Sequence, residues 1–346
     1  VPVKATDGHP IDPSRSRESG MPSSRRLRRT VSIAAGAALL LTAATACGSD
    51  GGGEDSGSGP TDITLGVIPI IDIAPVKLGI EKGFFKEQDL NPTLKESQGG
   101  AAITPAVVSG DYQFGYSNIV SLLIAKSEGV PVTMLSVGAR ASDDVLDDGS
   151  GQLMTKDDGI KDVAGLEGKT IAVNTLLGIN EVAVRASLED AGLDRDAAKL
   201  VEVPIPDMPA ALDKGNVDAA MLSEPFISIV EKDGGHALPV SYAGMGKQLP
   251  FAGWFASEAY AGKNPEVVER FTKALQKSLR YAEEHPDEAR AVLNTYLDLD
   301  EGLTDDLTLP GWNPESDRDE IAGLAQLTAD AGLIDNLDPL DDLLAD

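Results

Sequence analysis

Two polar pairs close short apolar runs in this sequence, Ser117-Asn118 after Tyr112 to Tyr116 and Ser223-Glu224 after Val217 to Leu222. Hydroxyl, amide and carboxylate groups at the ends of buried strands can hold a small polar molecule by hydrogen bonds alone. Groups for covalent or acid–base work are not gathered anywhere. His9 precedes a basic stretch, His236 follows glycines in a turn and His285 ends a helix, so none offers a base beside a nucleophile. No histidine/carboxylate cluster has zinc or iron spacing, and the single Cys47 excludes an internal disulfide and a multi-cysteine metal site. Asp143, Asp144, Asp147 and Asp148 crowd one loop without the spacing of a calcium loop, which reads as a solvated turn. The residue types point to non-covalent binding, with no cofactor and no metal.

The elements that must position these pairs occur twice. Each pair is preceded by a short amphipathic segment beginning at a proline (Pro105 to Ser109, Pro209 to Lys214) and by a glycine placed as a helix C-cap, Gly110 or Gly215. Each is followed by another apolar-periodic run, so both copies read helix, glycine, strand, polar mouth, helix. Upstream, Ile63 to Val67 and Thr170 to Asn174 are candidate first strands, and Asn91 to Lys95 and Lys199 to Val203 candidate second strands. Val67 to Val173 and Leu94 to Leu200 are each separated by 106 residues, and Gly110 to Gly215 by 105. A near-constant offset predicts two βαβαβα units of one plan, with the ligand between them, where strand C-termini and helix N-termini of parallel α/β units meet.

Composition bounds the rest. The chain has 346 residues, 42% of them apolar, and a formal charge of −27, of which the part from Cys47 onward carries −31. That sign is wrong for nucleic acid or an anionic membrane surface. Residues 21–46 read as a secretion signal, with Arg25, Arg26, Arg28 and Arg29 before the apolar Val31 to Leu41 and small residues at Ala43 to Ala46. Residues 1–20 carry no structural pattern and read as an over-extended start ahead of Met21. Ala44-Thr45-Ala46-Cys47-Gly48 resembles the lipobox of bacterial lipoproteins, which implies lipidation of Cys47. Residues 47–60, rich in Gly, Ser and Asp, then form a flexible tether.

From residue 61 a more specific resemblance emerges. Ala74-Pro75 through Gly83-Phe84-Phe85-Lys86-Glu87, then Ser109-Gly110-Asp111, Asp162 to Thr170, Ala211 to Ala219 and Glu224-Pro225 follow one another in a characteristic order. In this the chain resembles the substrate-binding proteins of the nitrate/sulfonate/taurine and thiamine-pyrimidine-precursor group of ABC importers. The resemblance implies the two-domain type II periplasmic-binding-protein fold, an α/β fold with a cleft between two βαβ-type domains and a helical C-terminal portion. Domain 1 is expected over 61–142 plus 240–346 and domain 2 over 143–239, with crossings near Ser142 to Gly151 and Pro239 to Ala256.

It also implies a monomeric extracytoplasmic receptor, lipid-anchored to the outer face of the cytoplasmic membrane, that passes a sulfonate, nitrate or pyrimidine-type solute to a permease and an ATPase. Family correspondence puts Asp72, Ser117 and Asn118 on one wall of the cleft and Thr175, Asn180 and Glu224 on the other. Ser117, Asn118, Thr175 and Asn180 are equally readable as helix N-caps. Arg140, after a strand at Val132 to Val137, is readable as facing an anionic group or equally as a surface arginine, while Tyr116, Phe226 and Trp254 are available to stack on a planar solute or to fill the core. Ligand charge stays open, because Asp72 and Glu224 favour donors while Arg140 and the helix mouths favour anions. The alternative is an enzyme on the same fold, since the eukaryotic pyrimidine synthase of thiamine biosynthesis shares it, although its cysteine-rich signature is absent here.

Overall fold

The computed structural model describes residues 59–344 except 298, 300 and 301; Cys47, the signal segment and most of the tether lie outside the described residues. Ten strands form two mixed five-stranded sheets. Strands β1 (Thr61–Val67), β2 (Leu90–Glu96), β3 (Phe114–Asn118) and β4 (Val132–Arg140) belong to the first, and β5 (Gln152–Thr155), β6 (Thr170–Val173), β7 (Lys199–Glu202), β8 (Ala219–Leu222) and β9 (His236–Ser241) to the second. The chain then returns to the first sheet as β10 (Pro250–Ser257). The orders are β2-β1-β3-β10-β4 and β7-β6-β8-β5-β9. In each, the first three strands are parallel, and the strand laid antiparallel against the third is the one that follows a crossing.

The duplicated plan is therefore physical. Gly110 and Gly215 end the helices Gly100–Ser109 and Met208–Asp213 in the left-handed region, at φ +87° and +62°, where a Cβ would be strained. The first of these helices begins five residues before the expected Pro105, so that proline lies inside it. Its missing N–H removes one rung of the ladder, which burial of Ile103 and Val107 offsets. The return crossing is narrower than 239–256: strand pairing extends to Ser241 and resumes at Pro250, leaving the turn Tyr242–Met245 and a short loop.

The first sheet is filled by aromatic packing. Phe271, on the buried face of helix Pro265–Glu284, stacks on Phe114 with centroids 3.7 Å apart and meets the edge of Trp254. Near the C-terminus, helix Asp338–Leu343 packs on helix Ile119–Ser127 and β4, whereas helix Arg318–Asp330 touches both Ile119–Ser127 and, in the second half, Ile179–Asp190. At the C-terminal end of helix Arg318–Asp330, Arg195 donates to the Asp330 carbonyl at 2.7 Å and Arg185 to that of Ala331 at 3.0 Å. These are favourable places for cations on a helix. No helix among the described residues is long and apolar enough to cross a membrane.

Candidate functional site

The strand ends of the two sheets enclose a cavity of ≈ 30 Å³, room for about one or two waters. From the first half, Asp72 and Tyr116 reach it, with Asn118 at the end of β3; from the second come Asn174, Asn180 and Ser223. The return crossing supplies Tyr242 and the start of β10 supplies Phe251, their rings 4.8 Å apart. The halves are closed on one another, for the Ile71 N–H donates to the Glu224 carbonyl at 3.3 Å. Gly99 also approaches Thr175 so tightly that a Cβ there would come within 2.9 Å of its methyl. A larger groove of ≈ 760 Å³ runs beside β4 and residues 314–318, away from the strand ends that meet here.

Asp72 dominates the electrostatics. It sits on the single turn Ile71–Ile73 that leads into helix Ala74–Glu81, and only 3% of it is exposed. The Tyr116 hydroxyl donates to its Oδ2 at 2.7 Å, while its Oδ1 has no partner among the described residues. Burial pushes the carboxyl up to about 7; the Tyr116 hydrogen bond opposes this and the negative charge of Asp148 adds to it. Among the described residues that line the cavity, Asp72 is the one charged group, and no lysine, arginine or histidine joins it. The Ser150 and Ser223 hydroxyls also lack partners. Opposite them, the Tyr242 hydroxyl donates to Asn180 Oδ1 at 2.6 Å, and the Asn180 amide donates to Asn174 Oδ1 at 2.8 Å, which fixes the Asn180 carboxamide. Burial raises the pKa of both tyrosines, so they stay neutral hydrogen-bonding groups.

Of the residues expected to line the site, Asp72, Asn118 and Asn180 meet there. Asn118 also caps helix Ile119–Ser127, accepting from the Ser121 N–H at 2.8 Å, so both readings of it hold. The other four lie elsewhere. Ser117 is packed against Gly100, where a Cβ would collide with its hydroxyl. Thr175 takes part in the contact with Gly99, and the N-cap of its helix is Gly178.

Arg140 does not line the cavity. It is 4% exposed and is consumed by the carbonyls of Gln248 (2.9 Å), Asn313 (3.1 Å) and Glu315 and by the Glu320 carboxylate (2.9 Å). Glu224 turns to its own helix, accepting from the Ser228 hydroxyl at 2.8 Å and N–H at 3.1 Å and from the backbone of Thr308. Burial raises it to about 7. Trp254 is core, 5.4 Å from the Tyr116 ring.

Ser150, Asn174, Tyr242 and Phe251 are not among the residues expected from the sequence, and of the pair Ser223-Glu224 the cavity takes Ser223 in place of the expected Glu224. Ser223 had a signal: the 105-residue offset that relates Gly110 to Gly215 relates Asn118 to Ser223 rather than to Glu224. The acidic loop is not only a solvated turn. Asp148 is 1% exposed and accepts from the backbone of Ser142, Ser150 and Ala243, pinning one crossing to the other.

Two layers that close on a shared cavity, built from halves of one plan, define the class: the chain has the periplasmic-binding-protein fold. A solved ligand-binding component of an ABC-type import system from Staphylococcus aureus superposes with a TM-score of 0.71 at 14% identity, covering 82% of this chain and 96% of that one. Residues 70–289 match the family described as NMT1/THI5 like, and the chain belongs to it. Among its relatives, a taurine-binding periplasmic protein of Escherichia coli is 26% identical over 55% of this chain and 57% of its own length. A 4-amino-5-hydroxymethyl-2-methylpyrimidine phosphate synthase of Aspergillus parasiticus is 26% identical over 65% of this chain and 66% of its own. The match thus spans just over half of the first relative and just under two thirds of the second.

Proposed function

We propose that this chain is the extracytoplasmic solute receptor of an ABC importer, which closes its halves on a small polar solute and hands it to a membrane permease powered by a separate ATPase. The observation that carries this reading is the buried, unpartnered Asp72 Oδ1 in a cavity whose polar groups come from both halves. A group made by one half alone would bind without closure; groups from both halves favour the closed state when a solute bridges them. The family and the periplasmic relative support the same reading. The pyrimidine synthase relative is the ground for reading the chain as an enzyme, but no nucleophile–base pair lines the cavity, and we take the chain as a receptor.

Within the range of sulfonate, nitrate and pyrimidine-type solutes, the chemistry of the cavity favours a donor. A sulfonate or nitrate would place its charge beside a carboxylate with no cation to offset it, whereas an amine or aminopyrimidine N–H satisfies the free acceptor of Asp72. The lipobox-like sequence supports an anchor on Cys47, outside the described residues, holding the receptor on the outer face of the cytoplasmic membrane. Calorimetric titration of the protein with taurine, nitrate and 4-aminopyrimidine tests the assignment. We expect binding of the aminopyrimidine, weakened roughly ten- to hundredfold in Asp72→Asn by loss of a charge-assisted hydrogen bond. Binding of taurine or nitrate that Asp72→Asn leaves unchanged overturns the donor reading.

A further inference from the structure

Outside the inner cavity the cleft widens into a second chamber of ≈ 270 Å³. Ile68 and Ile70, on the exit from β1, and Ile205, just beyond β7, wall both volumes and so form the partition between them. These three side chains are 6–7% exposed, and they come from opposite halves. Beyond them Pro69, Pro204 and Pro206 line the outer chamber. Prolines hold their backbone at fixed φ, so such a chamber keeps its form at small entropic cost when it is filled. Its rim carries Glu96 and Asp207, both exposed, and no basic residue lines it.

A chamber walled by three prolines and three isoleucines, with Ser97 and Gln98 beside them, that shares its isoleucine wall with a small polar cavity does not serve a compact anion. Nitrate has no apolar part, and an anionic tail would meet the two acidic rim residues.

We propose that the solute is amphiphilic, with a donor-bearing head on Asp72 and an apolar substituent that passes between Ile68, Ile70 and Ile205 into the outer chamber. This rests on the receptor reading and adds to it the shape and polarity of the solute. The partitioning isoleucines then read substituent length while Asp72 reads the head.

The probe is a series of n-alkylamines from ethylamine to octylamine, titrated into the full chain at pH 8. Affinity is expected to rise about fourfold per methylene, since each buried CH₂ contributes about 0.8 kcal/mol, and to level off once the outer chamber is filled. Pro206→Trp, which lays an indole across that chamber, flattens the dependence on length. If ethylamine and octylamine bind with equal affinity, the outer chamber is no subsite, although the donor reading survives. If no amine binds, or hexanesulfonate binds where hexylamine does not, the inference falls together with the donor reading.

Discussion

Asp72→Asn makes the electrostatics of the cavity measurable without any ligand. The substitution keeps the shape of the side chain and an acceptor for the Tyr116 hydroxyl, and it removes the titration. In the folded protein the carboxyl is raised from 3.8 to about 7, chiefly by burial. At about 1.4 kcal/mol per pH unit this corresponds to roughly 4 kcal/mol. The direction follows from proton binding: between these two values the folded state holds a proton that the unfolded state has released, so stability falls as pH rises. The contribution is complete below pH 4, is lost progressively up to about 7 and stays lost above it.

Wild type and Asp72→Asn should therefore be similarly stable near pH 4, while at pH 8 the variant is the more stable by up to roughly 4 kcal/mol. Glu224, raised by burial to about 7, gives both proteins a common slope that cancels in the difference, whereas Asp148, raised to about 6, is coupled to Asp72 and cancels only in part. Urea denaturation at intervals from pH 4 to 8 reads the difference directly. A wild-type-minus-variant stability that does not change across that range would refute the account of Asp72 as a desolvated, under-bonded carboxyl.

Arg140→Ala strips partners from three backbone carbonyls, and at about 1–3 kcal/mol for each buried group left unsatisfied we expect a loss of roughly 3 kcal/mol or more. The Glu320 ion pair adds little to stability because that carboxylate is 42% exposed; because Arg140 does not line the cavity, titration of the folded variant should show a smaller change in solute affinity than Asp72→Asn. Glu224→Ala removes the bonds to Ser228 and, near pH 4 where the buried carboxyl is protonated, is expected to cost about 1–2 kcal/mol in melting experiments, a loss that shrinks as pH rises through 7. It should leave affinity intact, and a tenfold loss of affinity in a folded Glu224→Ala protein would return that residue to the site.

The duplicated plan was legible because helix caps and strand periodicity are local: Gly110 and Gly215 announce left-handed turns whatever surrounds them. Asp72 is put in the first strand-to-helix loop by family correspondence, and it stands on the turn between β1 and the proline-started helix. Arg140 was misplaced because its partners lie more than a hundred residues away and are mostly backbone carbonyls, which no side-chain pattern marks. Tyr242 and Phe251 escaped notice for a related reason. Tyr242 stands on the return crossing and Phe251 at the start of β10 just beyond it, a stretch that reads only as a connection, and their position in the cavity follows from β9 and β10 lying in different sheets. The antiparallel strands β5 and β10 carry no sequence mark of direction, since apolar runs look alike whichever way they pair.

Helix Arg318–Asp330 touches both halves, with Arg185 and Arg195 of the second half holding its C-terminal carbonyls and Arg140 of the first half paired to Glu320 near its N-terminus. Parting the halves requires that one of these attachments break, or that the helix travel with the half it stays bound to. The helix therefore sets a resting position for the cleft as well as decorating its back. When a solute can reach its cavity only after such a break, the fraction of time spent open limits how fast it is captured. On the receptor reading proposed above, the contacts of Arg185 and Arg195, remote from the cavity, bear on how readily the cleft opens to a solute.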